Sequence, residues 1–192
     1  MIMKKLALFA LSVVASTAFA AGEIVIGGTS NQTANFTGAA VTNYANGGDS
    51  SAFQNMASNS GMVTIGGTSN QTVNMTGGIA SNLANEDAVA QQNVSSNVGD
   101  KDKITIGGTS NQNASISNSA LTNRANVHTV AQQSVTSNVG NVDIGGVSNQ
   151  SASITLSAIT NEAYGYGALA VQNIASNHSC NAFTCPKAEY RY

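Results

Sequence analysis

The stretch Ile26-Gly27-Gly28-Thr29-Ser30-Asn31-Gln32 decides the fold, because close copies of it return three more times along the chain. The later copies begin at Ile65, Ile106 and Ile144, so the spacings are 39, 41 and 38 residues. Self-similarity at a nearly constant period is typical of proteins in which each unit stacks on the next. The sequence therefore predicts a repeat protein of four units.

Glutamine and asparagine recur at fixed offsets within every unit. The first Gln closes the quoted stretch, an Asn follows eleven positions later, and a second Gln opens the other half of the unit. When strands stack in register, equivalent amides can hydrogen-bond in ladders. The predicted self-assembly ladder residues are Gln32, Asn43, Gln54, Gln71, Asn82, Gln92, Gln112, Asn123, Gln133, Gln150, Asn161 and Gln172.

Apolar and polar residues alternate in both halves of each unit. After Gln71, for example, Val73 and Met75 occupy every second position, with Thr72 and Asn74 between them. A period of two is typical of a β-strand. The predicted fold is therefore all-β, a β-solenoid or cross-β stack of four repeats of about 39 residues. Because the ladder glutamines lie about 20 residues apart, eight half-length rungs are the alternative.

The N-terminus has the layout of a secretory signal peptide. Lys4 and Lys5 precede an apolar run that is too short to span a membrane, and Ala18-Phe19-Ala20 follows it. We therefore predict cleavage near Ala20 and a secreted protein, extracellular or at the cell surface, with no membrane span in the mature chain. The predicted divisions are a signal peptide (1–20), a four-repeat solenoid (21–177, with repeats near 24–61, 62–99, 103–140 and 142–177) and a tail (178–192).

Charged residues are scarce, at 8% of the chain against about 25% in an ordinary globular protein. Polarity comes instead from 24 Asn and 10 Gln. Removing Lys4 and Lys5 with the signal peptide leaves five Lys and Arg against nine Asp and Glu. Nucleic-acid binding requires clustered basic residues, so we predict no nucleic-acid partner.

Tandem units with Gln and Asn at fixed offsets, a signal peptide and a cysteine pair near the C-terminus resemble two bacterial functional amyloid families, the curlins of curli fibres and Fap. The resemblance covers about Ile24 to Cys185, and the triplets 43–45 and 123–125 echo the curlin Asn-x-Ala pattern. It implies an exported subunit of extracellular fibres that support biofilm matrix and surface adhesion. The implied partners are other copies of the chain and accessory proteins for secretion and nucleation, and the Gln and Asn columns would be the assembly residues.

The strand edges favour self-assembly independently of the families. End rungs that repeat the middle ones expose edges, and an unprotected edge templates another chain. The alternative function is a monomeric β-solenoid, an adhesin or ice-binding protein, whose flat face binds a surface. Thr29, Thr68 and Thr109 form part of such a face, although the fourth copy has Val147.

An enzyme is not predicted, and neither is a cofactor or a metal site. His128 and His178 occupy no repeated position and no catalytic or metal-ligand pattern. The segment Asp100-x-Asp102 lacks the later oxygen ligands of a calcium loop.

Cys180 and Cys185 are predicted to form an intramolecular disulfide, because export places the chain in an oxidising compartment. An intermolecular bridge and a free pair used in handover to an export partner are the alternatives. Zinc binding would require two more ligands than the tail offers, unless His178 and a neighbour serve.

Overall fold

The computed structural model describes residues 23–175 and 177–179. For residues 100–102 and 178–179 only the backbone is described. The predicted signal peptide, the Cys180–Cys185 disulfide and nearly all of the predicted tail lie outside the described residues.

All regular elements in the described part are β-strands, as the period-two alternation predicts. In chain order they are β1 (Glu23–Ile26), β2 (Thr29–Thr37), β3 (Ala40–Asn46), β4 (Ser51–Met56), β5 (Asn59–Ser60), β6 (Met62–Ile65), β7 (Thr68–Thr76), β8 (Ile79–Asn85), β9 (Val89–Val94), β10 (Asn97–Ile106), β11 (Thr109–Ser117), β12 (Ala120–Val127), β13 (Val130–Val135), β14 (Asn138–Ile144), β15 (Val147–Thr155), β16 (Ala158–Gly165), β17 (Ala170–Ile174) and β18 (Asn177–Ser179).

The strands coil into a β-solenoid of about four turns, which confirms the predicted fold. Turn one contains β1–β4, turn two β5–β9, turn three β10–β13 and turn four β14–β17, and β18 begins another pass. Equivalent strands pair in parallel, forming four sheets. Sheet 1 is β1-β6-β10-β14-β18, with β5 beside β10; sheet 2 is β2-β7-β11-β15; sheet 3 is β3-β8-β12-β16; and sheet 4 is β4-β9-β13-β17.

The register shows that one repeat makes one turn, so the eight-rung alternative is wrong. Gln32 pairs with Gln71, which lies one full repeat away, whereas Gln54 belongs to a different sheet and pairs with Gln92. The half-repeat is therefore one side of a wide turn. Pairing in sheet 2 is in register over nine residues at every step, because the repeats there are equal in length.

The charged insertion that lengthens the second spacing is accommodated within a strand. Asn, Gly and Asp are common in turns, but β10 runs through Asn97-Val98-Gly99-Asp100. The register with β14 shifts between Val98 and Lys103, where the extra residues form a bulge. A bulge keeps both flanking segments paired and moves the added residues out of the ladder.

Three apolar clusters fill the solenoid. The largest joins sheets 2, 3 and 4 around side chains such as Met75, Ile116 and Leu121. A second contains only alanines from sheets 3 and 4 and their connecting segments. The third is the isoleucine and valine column of sheet 1. Because alanine is small, sheets 3 and 4 lie close enough for side chains of one to reach backbone groups of the other.

The corner between sheets 2 and 3 requires a left-handed backbone in every turn. Gly38 and Gly77 have φ of 58° and 62°, but Leu156 occupies the same corner in turn four with φ of 50° and 83% exposure. We expect Leu156→Gly to stabilise the fold by about 1 kcal/mol, because glycine adopts this conformation without strain. The measurement is the urea midpoint of unfolding. Thr155→Gly, one residue earlier in β15, is the control and should lower the midpoint; a lower midpoint for Leu156→Gly would contradict the prediction.

Candidate self-assembly columns

Four columns of amide side chains run along the inside of the solenoid. Three contain the predicted ladder residues, and the fourth lies at the corner between sheets 4 and 1. They are the first Gln column (Gln32, Gln71, Gln112 and Gln150), the sheet 3 Asn column (Asn43, Asn82, Asn123 and Asn161), the second Gln column (Gln54, Gln92, Gln133 and Gln172) and the corner Asn column (Asn59, Asn97, Asn138 and Asn177).

The second Gln column forms a ladder along the stack. Gln92 Nε2 donates to Gln54 Oε1 at 2.5 Å, and Gln133 Nε2 donates to Gln92 Oε1 at 2.9 Å. All three side chains are buried. Every donor therefore points toward the N-terminal end of the stack.

The sheet 3 Asn column forms a ladder of opposite direction. Asn43 donates to Asn82 at 2.9 Å, Asn82 to Asn123 at 2.9 Å and Asn123 to Asn161 at 2.8 Å. Asn82 Nδ2 also donates across the alanine cluster to the carbonyls of Ala52 and Gln91 in sheet 4. These amides thus join consecutive turns and join two sheets at once, which satisfies buried polar groups of both.

The sequence predicts that the first Gln column forms hydrogen bonds along the stack, but its side chains in turns one to three donate across the core instead. Gln32 Nε2 donates across the core to Asn59 Oδ1 at 2.9 Å, and Gln71 Nε2 donates to Asn97 Oδ1 at 3.1 Å. Gln112 Nε2 donates to the Ser137 carbonyl at 3.2 Å. The corner between sheets 4 and 1 lies opposite these glutamines and offers acceptors, so the amides tie sheet 2 to that corner.

The asparagines of the corner Asn column are not among the ladder residues predicted from the sequence. Asn59 donates to Asn97 at 2.9 Å, Asn97 to Asn138 at 3.0 Å and Asn138 to Asn177 at 3.0 Å. Asn97 is fully buried, and its Nδ2 also donates to Ser110 Oγ in sheet 2. The signal was present in the sequence, because a Ser-Asn pair closes the second half of every unit.

Buried polar atoms without a hydrogen-bond partner occur in all four turns, and the two end turns are among them. Gln54 Nε2 is buried in turn one and has no hydrogen bond, because the next acceptor of its ladder would lie below it. Gln150 Nε2 in turn four is also unpartnered. An open groove of about 540 Å³ enters the first turn, and Phe36, Phe53 and Met56 are among its lining residues.

Of the remaining candidate residues His128 lies on the surface, and only the backbone of Asp100, Asp102 and His178 is described. His128 contacts Asp87 of the turn below, Lys103 pairs with Asp143 at 2.8 Å, and Arg124 pairs with Glu162. Exposed pairs of this kind stabilise a fold by at most about 1 kcal/mol. In the described residues, no group of three or more His, Cys, Asp or Glu could hold a metal ion.

No protein-family model, curated protein or solved structure matches this chain. The resemblance to the curlin and Fap families therefore stays a prediction. Within residues 23–175 and 177–179, no helix is long and apolar enough to cross a membrane.

Proposed function

We propose that this protein is an exported structural subunit that polymerises head to tail into extracellular cross-β fibres. The observation that carries the proposal is that turn one and turn four, at the two ends of the described stack, match each other. In the described residues no strand covers β2–β4 at one end or β15–β17 at the other. Turn one and turn four have the same strand lengths and register positions in sheet 2, so turn one of a second copy fits on turn four as a further turn.

Backbone groups at the two ends support the proposal. The Thr68 amide donates down to the Gly28 carbonyl, and backbone groups in a parallel ladder point to alternate sides along a strand. The equivalent groups of β2 therefore point away from the stack, and the alternate groups of β15 point away at the other end. An edge of this kind templates the addition of a strand.

Side chains at the two ends also match. Gln54 Nε2 lacks an acceptor, and the exposed Gln172 is the equivalent residue of turn four. Phe36 and Met56 line the groove in turn one, while Ile154 and Ile174 are 38% and 36% exposed in turn four. Stacking would place Gln54 opposite Gln172 and would continue the apolar columns. Only the head-to-tail order keeps strands parallel and donors pointing one way through the junction.

The extracellular setting is part of the proposal and rests on the predicted signal peptide and on the family resemblance. Fibres of this kind would support biofilm matrix and surface adhesion. Secretion and nucleation proteins are the further partners that such a subunit requires.

The first test uses the predicted mature chain from Ala21, purified in denaturant and diluted into buffer. We expect growth after a lag, followed by thioflavin fluorescence, and fibre reflections near 4.8 and 10 Å. A chain that stays monomeric and β-rich would contradict the proposal.

Gly28→Ala tests the junction itself. In turns two, three and four a Cβ on the equivalent glycine would lie under 3.0 Å from backbone of the turn below, whereas Gly28 has no atom within 4 Å. We expect the variant to fold normally and to elongate wild-type seeds about a hundredfold more slowly, since the clash appears only on stacking. Gly27→Ala is the matched control, because its position stays open in the inner turns, where the nearest atom is 4.0 Å away. Equal elongation rates for the two variants would contradict the proposed head-to-tail junction.

A second candidate function rests on the outer face of sheet 2. Its outward positions carry only Thr, Asn and Ser except for Val147, and an exposed ladder joins Asn31, Asn70, Asn111 and Asn149. A flat uncharged face of this kind suits a monomeric adhesin or ice-binding protein. Retention of a stable monomer by a solid surface or by ice would favour this candidate.

A further inference from the structure

Sheet 1 is only partly covered at the C-terminal end of the stack. β18 pairs with β14 over Asn138–Gly140 alone. The rest of β14, residues 141–144, pairs with β10 on one side. On the other side, no strand in residues 23–175 and 177–179 pairs with this four-residue segment.

β1 has the length and register of a strand that fits this edge. It pairs with Met62–Ile65, which are the positions equivalent to 141–144. Its Ile24 and Ile26 belong to the same apolar cluster as Val142. At the N-terminal end, the other side of β1 pairs with no described strand.

We infer that residues 141–144 are the docking site for Glu23–Ile26 of a second copy, which rests on the proposed function. In the second turn the chain passes from the corner segment 59–61 directly into Met62–Ile65. At the junction, Glu23 of the second copy takes the equivalent place immediately after Ser179 of the first. The solenoid therefore continues across the junction, and the second copy supplies its next strand.

The second copy offers Ile24 and Ile26 at the positions that face Val142 and Ile144. Residues 180–183 follow β18 directly and lie outside the described residues, so the experiment also asks whether they occupy this edge.

Engineered cysteine pairs test the inference in the full predicted mature chain with Cys180→Ser and Cys185→Ser. Val25 is 63% exposed and is equivalent to the exposed Asp143, so Val25→Cys with Asp143→Cys places two thiols on neighbouring strands of the junction. The comparison pair is Ala182→Cys with Asp143→Cys, which reports on the tail at the same edge. Both variants are grown into fibres, oxidised and run on a denaturing gel without reductant.

We expect a ladder of covalent multimers from the Val25 pair and little internal cross-link from the Ala182 pair. Fibres without the ladder would overturn the inference while leaving fibre formation intact. An internal cross-link of the Ala182 pair within fibres would also overturn it, because the tail would then occupy the edge. Failure of the unsubstituted chain to form fibres would instead refute the proposed function, and the inference with it.

Discussion

Gly108→Ala is expected to destabilise the solenoid by about 3 kcal/mol or more, although it adds a single methyl group. The new Cβ would lie under 3.0 Å from the carbonyl oxygens of Gly66 and Gly67 in the turn below. Those atoms are backbone, so they cannot turn aside as a flexible side chain would. The measurement is the free energy of unfolding from urea titration.

Gly107→Ala is the control for this prediction. The nearest atom to its added methyl is the Ile65 carbonyl oxygen at 4.0 Å. We expect a change within about 0.5 kcal/mol, because the extra methyl meets no backbone and also restricts the unfolded chain. Equal losses for both substitutions would show that the crowding of stacked corners is not the cause.

Asn97→Asp is expected to destabilise the fold by about 4 kcal/mol at pH 7. Asn97 is fully buried, and its Oδ1 accepts hydrogen bonds from Asn59 at 2.9 Å and Gln71 at 3.1 Å. Its Nδ2 donates to Ser110 and Asn138. A carboxylate keeps the first two bonds but cannot donate, and it places a charge in a site without a cation.

The loss should depend on pH in a defined direction. Burial raises the pKa of the introduced carboxyl above its unfolded value, because the charged form is disfavoured there. The protonated acid can donate a hydrogen bond, so most of the stability is retained below about pH 4 and is lost as the pH rises through the raised pKa. Urea titrations across this range measure the effect.

Asn74→Asp is the control, because it makes the same chemical change as Asn97→Asp at an exposed position. Asn74 is exposed on sheet 2 and donates to Asn35 at 2.8 Å. A charge there stays in water, so we expect a change within about 0.5 kcal/mol. A similar loss at both positions, or a loss at Asn97 that does not vary with pH, would contradict the explanation by a buried charge.

Much of the fold could be predicted because its causes are local and repeated. The recurrence of Ile26 and its equivalents sets the stacking, and the period of two selects strands with Gln, Ala and Val inward. In the structure the second glycine of the pair in turns two, three and four lies against backbone of the turn below, where no larger residue fits.

The hydrogen-bond partners of the amide side chains could not be predicted from the sequence in the same way. Gln71 and Gln92 both recur in register, yet Gln92 bonds along the stack and Gln71 bonds across it. The difference depends on which sheet lies opposite and how closely it approaches. Asn97 was not predicted to be a ladder residue for a related reason. Its column lies at a corner between two sheets, where the alternation within one strand does not show whether a side chain points inward.

By itself the amino-acid sequence determined an all-β stack of four in-register units with amide columns, since nearly constant spacing aligns equivalent residues in any stack. Only the tertiary structure decided that one repeat makes a complete turn that passes once through each of the four sheets. It also decided where each amide donates and which edges stay open. These properties depend on distances between sheets that are far apart in the chain, and no local pattern carries that information.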